Sequence, residues 1–236
     1  MARIGNFYWA SLFLTGFLAG CGGGGGGGNA WTPIASTEVF QLKTAWDNIV
    51  RDTGTRSFTV SGTYAGLALR GSGSITQGGL VGAVFEGVAA QQKLTTVSAT
   101  ITGGGQTVTD TESGSDFYDS NYLPLGTQTA DEYTVVNGSA TIPQTARVGD
   151  TGTAYSDNRY TNSSKTSFLG TNTYTYALQA DTASTAIAQI VGIEKDGLGA
   201  TTYTRTLRYR ITPAGAVTPL SETVTDSDGS MVFTYN

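Results

Sequence analysis

Seven consecutive residues hold the densest group of side chains that could contact a ligand. Two carboxylates, one amide and three aromatic rings occur in the run Asp116-Phe117-Tyr118-Asp119-Ser120-Asn121-Tyr122, in a region rich in Gly and Ser. Aromatic rings beside hydrogen-bonding groups suit the recognition of a glycan or a peptide, and such sites are usually found on loops. We therefore predict a ligand-binding loop in which Tyr118 stacks on the ligand, Asp116 and Asp119 accept hydrogen bonds, and Tyr122 is a further candidate. The alternative is a solvated loop that packs two of its rings on the core.

The chain contains no histidine and one cysteine among its 236 residues. The lack of histidine excludes a Ser-His-Asp triad and a Cys-His pair, and it removes the commonest zinc and copper ligand. Chemistry based on carboxylate, Lys, Tyr or Ser side chains stays open, as do metals with oxygen ligands. We therefore predict no cofactor and no metal site, and we nominate no catalytic residue.

The single cysteine, Cys21, follows Leu18-Ala19-Gly20 and ends an apolar stretch that begins at Phe7. Arg3 is the only charged residue before this stretch. A basic head, an apolar run of about a dozen residues and small residues at the cut describe a secretory signal peptide. The run is too short for a membrane-spanning helix, which needs roughly 20 apolar residues.

Leu-Ala-Gly-Cys at this position resembles the lipobox of bacterial lipoproteins, in which the cysteine is acylated and becomes the new N-terminus. The resemblance implies that residues 1–20 are removed, that Cys21 is lipidated and that the acyl chains hold the protein in a membrane. In this family an Asp after the cysteine retains the protein in the inner membrane. Gly22 follows here, which points to the outer membrane of a Gram-negative envelope, at its periplasmic face or at the cell surface.

Seven glycines follow the cysteine, from Gly22 to Gly28. We interpret residues 21–33 as a flexible, lipid-anchored tether of roughly 20 Å root-mean-square length, which leaves 34–236 as one folded domain. The chain carries a net charge of −5. An acidic protein with scattered Lys and Arg lacks the basic face that nucleic acid binding needs, so we predict the membrane and a glycan or peptide as partners, and no nucleic acid. Nothing in the sequence indicates an oligomeric state.

These features favour a non-catalytic binding or envelope-structural lipoprotein over an enzyme. The alternative is a carboxylate-dependent hydrolase that acts on envelope glycans, since a glycosidase needs only two carboxylates at a set separation. The chain has 18 acidic residues, and their spacing does not single out a pair. Asp226-Ser227-Asp228-Gly229-Ser230 begins like a calcium loop but lacks the terminal acidic ligand, so we predict a hairpin turn there.

One segment has the periodicity of a helix. From Thr37 to Arg51, apolar residues recur at steps of three and four along one face. Ser36 or Thr37 could cap the start, and Asp52-Thr53-Gly54 supplies a stop. The spacing predicts a helix over 37–51, with Trp46 as an anchor in the core.

From Gly54 onward, apolar and polar residues alternate with a period of two. One buried and one wet face are typical of antiparallel strands. We therefore predict an all-β fold: a single antiparallel meander of about ten to twelve strands, closed as a β-barrel or folded as a β-sandwich, with one N-terminal α-helix packed on it. A membrane-spanning barrel also alternates, but the lipobox, the packed helix and outer faces rich in Thr and Arg argue against it. The stretch from Pro143 to Tyr209 resembles uncharacterised bacterial lipoproteins, and this resemblance implies no functional residue.

Overall fold

The computed structural model describes residues 33–236, so the predicted signal peptide, Cys21 and nearly all of the predicted tether lie outside the described residues. Within this range, no helix combines the length and the apolar character needed to cross a membrane. One helix, α1 (Leu42–Arg51), precedes thirteen strands. These are β1 (Gly54–Tyr64), β2 (Leu67–Gln77), β3 (Val81–Phe85), β4 (Val88–Gly103), β5 (Gln106–Tyr118), β6 (Pro124–Gln128), β7 (Tyr133–Val136), β8 (Thr151–Tyr160), β9 (Phe168–Thr182), β10 (Thr185–Asp196), β11 (Thr201–Ile211), β12 (Val217–Asp226) and β13 (Gly229–Tyr235).

The strands form one closed antiparallel barrel. From β4 to β13 each strand pairs with the next one along the chain, and β13 pairs with β1, which pairs with β2. β2 then pairs with the second half of β4, and this pairing closes a ring of 12 strands. β3 pairs with the first half of β4 and is the additional strand. The predicted antiparallel all-β fold is confirmed, and closure decides for the barrel over the sandwich.

The inside of the barrel is packed by a helix at one end and by wall side chains at the other. Side chains of eight strands already fill a small barrel, so a ring of 12 leaves room inside for a helix. Apolar residues of α1 and the inner sides of β8 to β11 form one buried cluster. The second cluster comes from the wall around β1: Phe58, Val60, Leu69, Val97, Ala99, Ile101, Val224 and Phe233.

Helix α1 is shorter than predicted, because its expected first turn pairs with other parts of the chain. Phe40 exchanges two backbone hydrogen bonds with Ala146, at 2.9 and 3.0 Å. The Ser36 hydroxyl donates to the carbonyl of Ala183 at 2.8 Å. The prediction that Ser36 or Thr37 caps the helix is therefore wrong, and the helix begins at Leu42 without a side-chain cap.

The other end and the buried face of α1 agree with the sequence. The helix ends at Arg51, as predicted. Trp46 is 3% exposed, which confirms it as a core anchor. Its indole Nε1 donates to the carbonyl of Tyr122 at 2.7 Å, so the ring also ties the helix to the β5–β6 connection.

The hairpin of β3 and β4 covers a patch of the outer barrel wall. The ring of Phe85 stacks on Phe117 with centroids 4.4 Å apart and lies 5.3 Å from Tyr133. The hydroxyl of Tyr133 donates to Glu86 at 2.7 Å. Gly126 permits this approach, because a Cβ there would lie 2.6 Å from the Phe85 ring and 2.1 Å from the carbonyl of Thr134. The short strands β6 and β7 are thus buried on their outer face by the hairpin.

Candidate functional site

A group of buried charged side chains lies inside the barrel between the two apolar clusters. Lys93 on β4 is paired in register with Asp116 on β5, and Arg205 on β11 contacts Glu222 on β12. Their exposed fractions are 1%, 4%, 4% and 0%. Charged residues are almost never buried to this degree unless they are paired, so the partner of each one matters.

Lys93 binds the C-terminal end of helix α1. Its Nζ donates to the carbonyl oxygens of Ile49 at 3.2 Å and of Val50 at 2.9 Å. These carbonyls belong to the last turn, where the helix dipole favours a cation. Burial lowers the pKa of Lys93 to about 8, although Asp116 and Asp52 act against the shift. Lys93 therefore has a structural role, since it fixes the helix to the barrel wall.

Arg205 and Glu222 form a buried ion pair with Tyr235 as a third member. Arg205 Nε lies 2.6 Å from Glu222 Oε1, and the Tyr235 hydroxyl donates to Glu222 Oε2 at 3.1 Å. Burial acts to lower the pKa of Arg205, but the charge of Glu222 outweighs it and raises the pKa. The guanidinium and the carboxylate thus neutralise each other inside the barrel.

Asp116 differs from these residues because one of its oxygens is unpaired. Oδ1 is buried and finds no hydrogen-bond partner within residues 33–236. Burial raises the pKa of this carboxyl to about 7, and the positive charges of Lys93 and Arg205 limit the shift. A buried polar group without a hydrogen-bond partner lowers stability by about 1–3 kcal/mol. A bound molecule that donates a hydrogen bond to Asp116 Oδ1 would remove this cost.

A cavity of ≈ 40 Å³ adjoins Asp116, and we call it the Asp116 chamber. Its buried part is lined by Ile49, Thr95, Asp116, Arg205, Leu207 and Tyr209. At the rim, half-buried Arg56 forms an ion pair with Asp52 at 2.5 Å and reaches Gln77 Oε1 at 3.5 Å. The half-buried rim gives the chamber a mouth beside the C-terminal end of α1. Since one water needs about 10–15 Å³, the chamber has room for about three water-sized groups.

A second buried polar network joins Glu132, the residue before β7, to side chains of β8, β9 and β10. Arg159 contacts Glu132 at 2.5 Å and Glu194 at 2.9 Å. Asn172 donates to Asp157 Oδ1 at 3.0 Å. Burial raises the pKa of Asp157 well above its usual range, and the charge of Glu132 adds to the shift. Unlike Asp116, these carboxylates all have protein partners, so this network closes on itself.

The structure places the predicted binding segment differently from the sequence interpretation. Asp116, Phe117 and Tyr118 end strand β5 and are buried, so the prediction of a loop there is wrong. Tyr118 is 1% exposed, and its ring belongs to the core rather than to a surface. Alternation along β5 turns Asp116 and Tyr118 inward, because the barrel closes around them.

The two remaining predicted residues build a turn. Asp119 Oδ1 accepts the backbone N–H groups of Asn121 and Leu123, both at 2.8 Å. Tyr122 has a positive φ of 59°, and its ring lies 5.2 Å from the Arg51 guanidinium. A ligand-binding role for Tyr118, Asp119 and Tyr122 stays a prediction, whereas Asp116 is the one of the four that lines the chamber.

The predicted hairpin turn near the C-terminus is present. Asp226 Oδ1 accepts the N–H groups of Asp228 at 2.8 Å and Gly229 at 3.0 Å, and these residues join β12 to β13. Across residues 33–236, no group of three or more Asp, Glu, His or Cys residues is placed to hold a metal ion.

The sequence analysis missed Lys93 and Arg205, although the alternation contained a signal for both. Lys93 is in phase with buried Val97 and Ala99 on β4, and Arg205 is in phase with buried Leu207 on β11. A charged residue in phase with apolar neighbours is the pattern that identifies the buried group.

Comparisons with known proteins give one structural likeness. No protein-family model matches the chain, and no curated protein matches it. A crystal structure of a DUF1329 family protein from Desulfovibrio piger is similar at 11% sequence identity and a TM-score of 0.36, over 84% of this chain and 92% of that one.

Proposed function

We propose that the protein is a lipid-anchored lipoprotein of the cell envelope whose barrel is a non-catalytic binding module, with the Asp116 chamber as its ligand site. The observation that carries the binding proposal is the unpaired, buried Oδ1 of Asp116 beside a cavity with a mouth. A ligand that donates a hydrogen bond to this oxygen offsets the cost of leaving it unpaired. Small-molecule sites are typically concave and combine apolar walls with polar groups that fix orientation, and the chamber has both, with Ile49 and Leu207 beside Asp116.

The anchoring proposal rests on the Leu-Ala-Gly-Cys run and the seven glycines that follow it. Each acyl methylene placed in a bilayer contributes about 0.8 kcal/mol, and two or more chains hold a protein stably. Intact mass of the protein extracted from membranes tests this part. We expect a chain that begins at Cys21 and carries acyl mass, and a Cys21→Ser variant without it. A wild-type chain that begins elsewhere, or that has no acyl mass, contradicts the anchor.

A thermal-shift screen of the full chain against small molecules tests the binding proposal. A ligand that binds only the native state raises the melting temperature by mass action. At 100 times its Kd, it adds about 2.7 kcal/mol to the free energy of unfolding. We expect at least one compound to stabilise the wild type and to lose this effect in Asp116→Asn. Glu38→Gln is the matched control, because Glu38 is exposed and lies outside the barrel wall. Stabilisation that survives Asp116→Asn would place the ligand elsewhere.

The competing function, a carboxylate-dependent hydrolase, has one observation in its favour. Asp116 and Asp157 both line a cavity of ≈ 10 Å³, and burial raises the pKa of both, as a general acid requires. This volume holds about one water, which leaves no space for a sugar ring between the two carboxyls. Turnover of polysaccharide or peptidoglycan that disappears in Asp116→Asn or Asp157→Asn would favour the hydrolase over the binding module.

A further inference from the structure

The charged side chains around the Asp116 chamber are arranged as pairs of one cation and one anion. Arg205 lies 2.6 Å from Glu222, and Arg56 lies 2.5 Å from Asp52 at the rim. Asp116, whose pKa burial raises to about 7, faces Lys93 across the β4–β5 pair, so its charge, once it is ionised, is opposed by that of Lys93. A ligand with a net charge would therefore add a buried charge without a counter-charge, and the desolvation of such a charge is strongly unfavourable. This balance favours a neutral ligand.

The hydrogen-bonding groups of the chamber include both acceptors and donors. Asp116 Oδ1 is an unpaired oxygen, and the hydroxyl-bearing side chains of Thr95 and Tyr209 line the same space. A hydroxyl group donates one hydrogen bond and accepts two, so it complements both kinds of group. An amine would pair with Asp116 but would add charge, and a group with acceptors alone would leave an ionised Asp116 unpaired.

The shape of the chamber sets the size of the group it can hold. Ile49, Ile75 and Leu207 supply an apolar wall, which suits the C–H faces of a carbon chain. The volume of ≈ 40 Å³ admits about three water-sized groups, and the mouth beside Arg56 leaves space for the remainder of a longer molecule outside. We infer that the chamber binds a small neutral polyol, either free or as the end group of a glycan chain. This inference rests on the proposed binding function and names its ligand class.

Methyl NMR of the full chain tests the inference at the site itself. The protein is labelled at Ile and Leu methyl groups and kept in amine-oxide micelles, since that detergent carries no hydroxyl. Glycerol serves as the free polyol and maltotriitol as a chain that ends in a polyol. We expect saturable shifts of the Ile49, Ile75 and Leu207 methyls. Leu69 and Ile101, which are buried but do not line the chamber, should not move.

Two neighbouring threonines provide matched variants for the same titrations. Thr95 lines the chamber, whereas Thr96, the next residue of β4, bonds to Ser113 on the outer wall. Thr95→Val should weaken polyol binding roughly three- to ten-fold, the loss expected for one hydrogen bond. Thr96→Val should leave it unchanged. Equal effects of the two variants would contradict binding in the chamber.

The remaining outcomes separate the inference from the proposed function. Saturation by glycerol as well as maltotriitol supports a free polyol, and saturation by maltotriitol alone supports a chain end. If ethylammonium or acetate saturates the chamber methyls while neither polyol does, the ligand class is wrong and the binding function stands. If all four probes shift the methyls only linearly and the thermal-shift screen finds no ligand, the chamber holds water alone and both proposals fail.

Discussion

Replacing Asp116 by Asn should change how the stability of the barrel depends on pH. Burial raises the pKa of this carboxyl from 3.8 to about 7, so the folded protein keeps the proton over a range in which the unfolded chain loses it. Stability falls with rising pH wherever the folded state binds more protons. The wild type should therefore lose stability through Asp116 between about pH 4 and pH 7, and the neutral amide of Asn should remove this loss.

The size of the effect follows from the shift. One pKa unit corresponds to about 1.4 kcal/mol, so a shift of about three units corresponds to about 4 kcal/mol. Because each state is partly ionised at one end of the range, the stability of Asp116→Asn minus that of the wild type should rise by about 3 kcal/mol of this from pH 4 to pH 7. The comparison stops there, because the lowered pKa of Lys93, about 8, brings a second titration above that range.

Urea unfolding of both proteins at pH 4, 5, 6 and 7 measures the difference. Linear extrapolation gives the free energy of unfolding at each pH, and Glu38→Gln controls for the loss of one exposed carboxylate. A difference curve that stays flat over this range would refute the assignment of Asp116 as a buried carboxyl with a raised pKa. A difference that falls with rising pH would mean that the pKa of Asp116 is lowered by folding and not raised.

Three further substitutions test the packing inside the barrel and on its outer wall. Lys93→Met removes both hydrogen bonds to the end of α1 and leaves Asp116 without its cross-strand cation. It should lower the free energy of unfolding, measured in urea, by about 3–5 kcal/mol. An unchanged urea midpoint would show that Lys93 does not hold the helix. Tyr118→Ala should lower the free energy of unfolding by about 3–5 kcal/mol, since the ring is 1% exposed. A loss below 1 kcal/mol would contradict the burial of this ring. Gly126→Ala brings a Cβ against the Phe85 ring and should lower the melting temperature by several degrees. Gly79→Ala has open space around its Cβ and should leave the melting temperature unchanged. Equal melting temperatures of the two variants would therefore contradict the close packing of the β3–β4 hairpin.

The sequence by itself determined the kind of structure this chain forms. The period-two alternation after Gly54 predicts antiparallel strands because successive side chains of a strand point to opposite faces. The three- and four-residue spacing predicts α1 and its anchor Trp46. Both features are local, and the structure contains both. The absence of histidine likewise excludes a Ser-His-Asp triad and a Cys-His pair.

The residue at which the helix begins depends on a contact between positions that are distant in the sequence. Phe40 pairs with Ala146, more than a hundred positions away, and this pairing competes with the first helical turn. Helix propensity is a weak preference that such contacts override. The periodicity of the segment therefore gave the end of α1 correctly and its beginning five residues too early.

The existence of the chamber depends on the closure of the barrel. Closure depends on β2 passing over β3 to pair with β4, and no local pattern encodes that choice. Once the ring closes, the inner face of β5 becomes interior, so Asp116 changes from a solvated acceptor in an expected loop to a buried carboxyl with an unpaired oxygen. A side chain's type is fixed by the sequence, whereas its solvation and its neighbours are properties of the tertiary structure, and they determine what chemistry the side chain can perform.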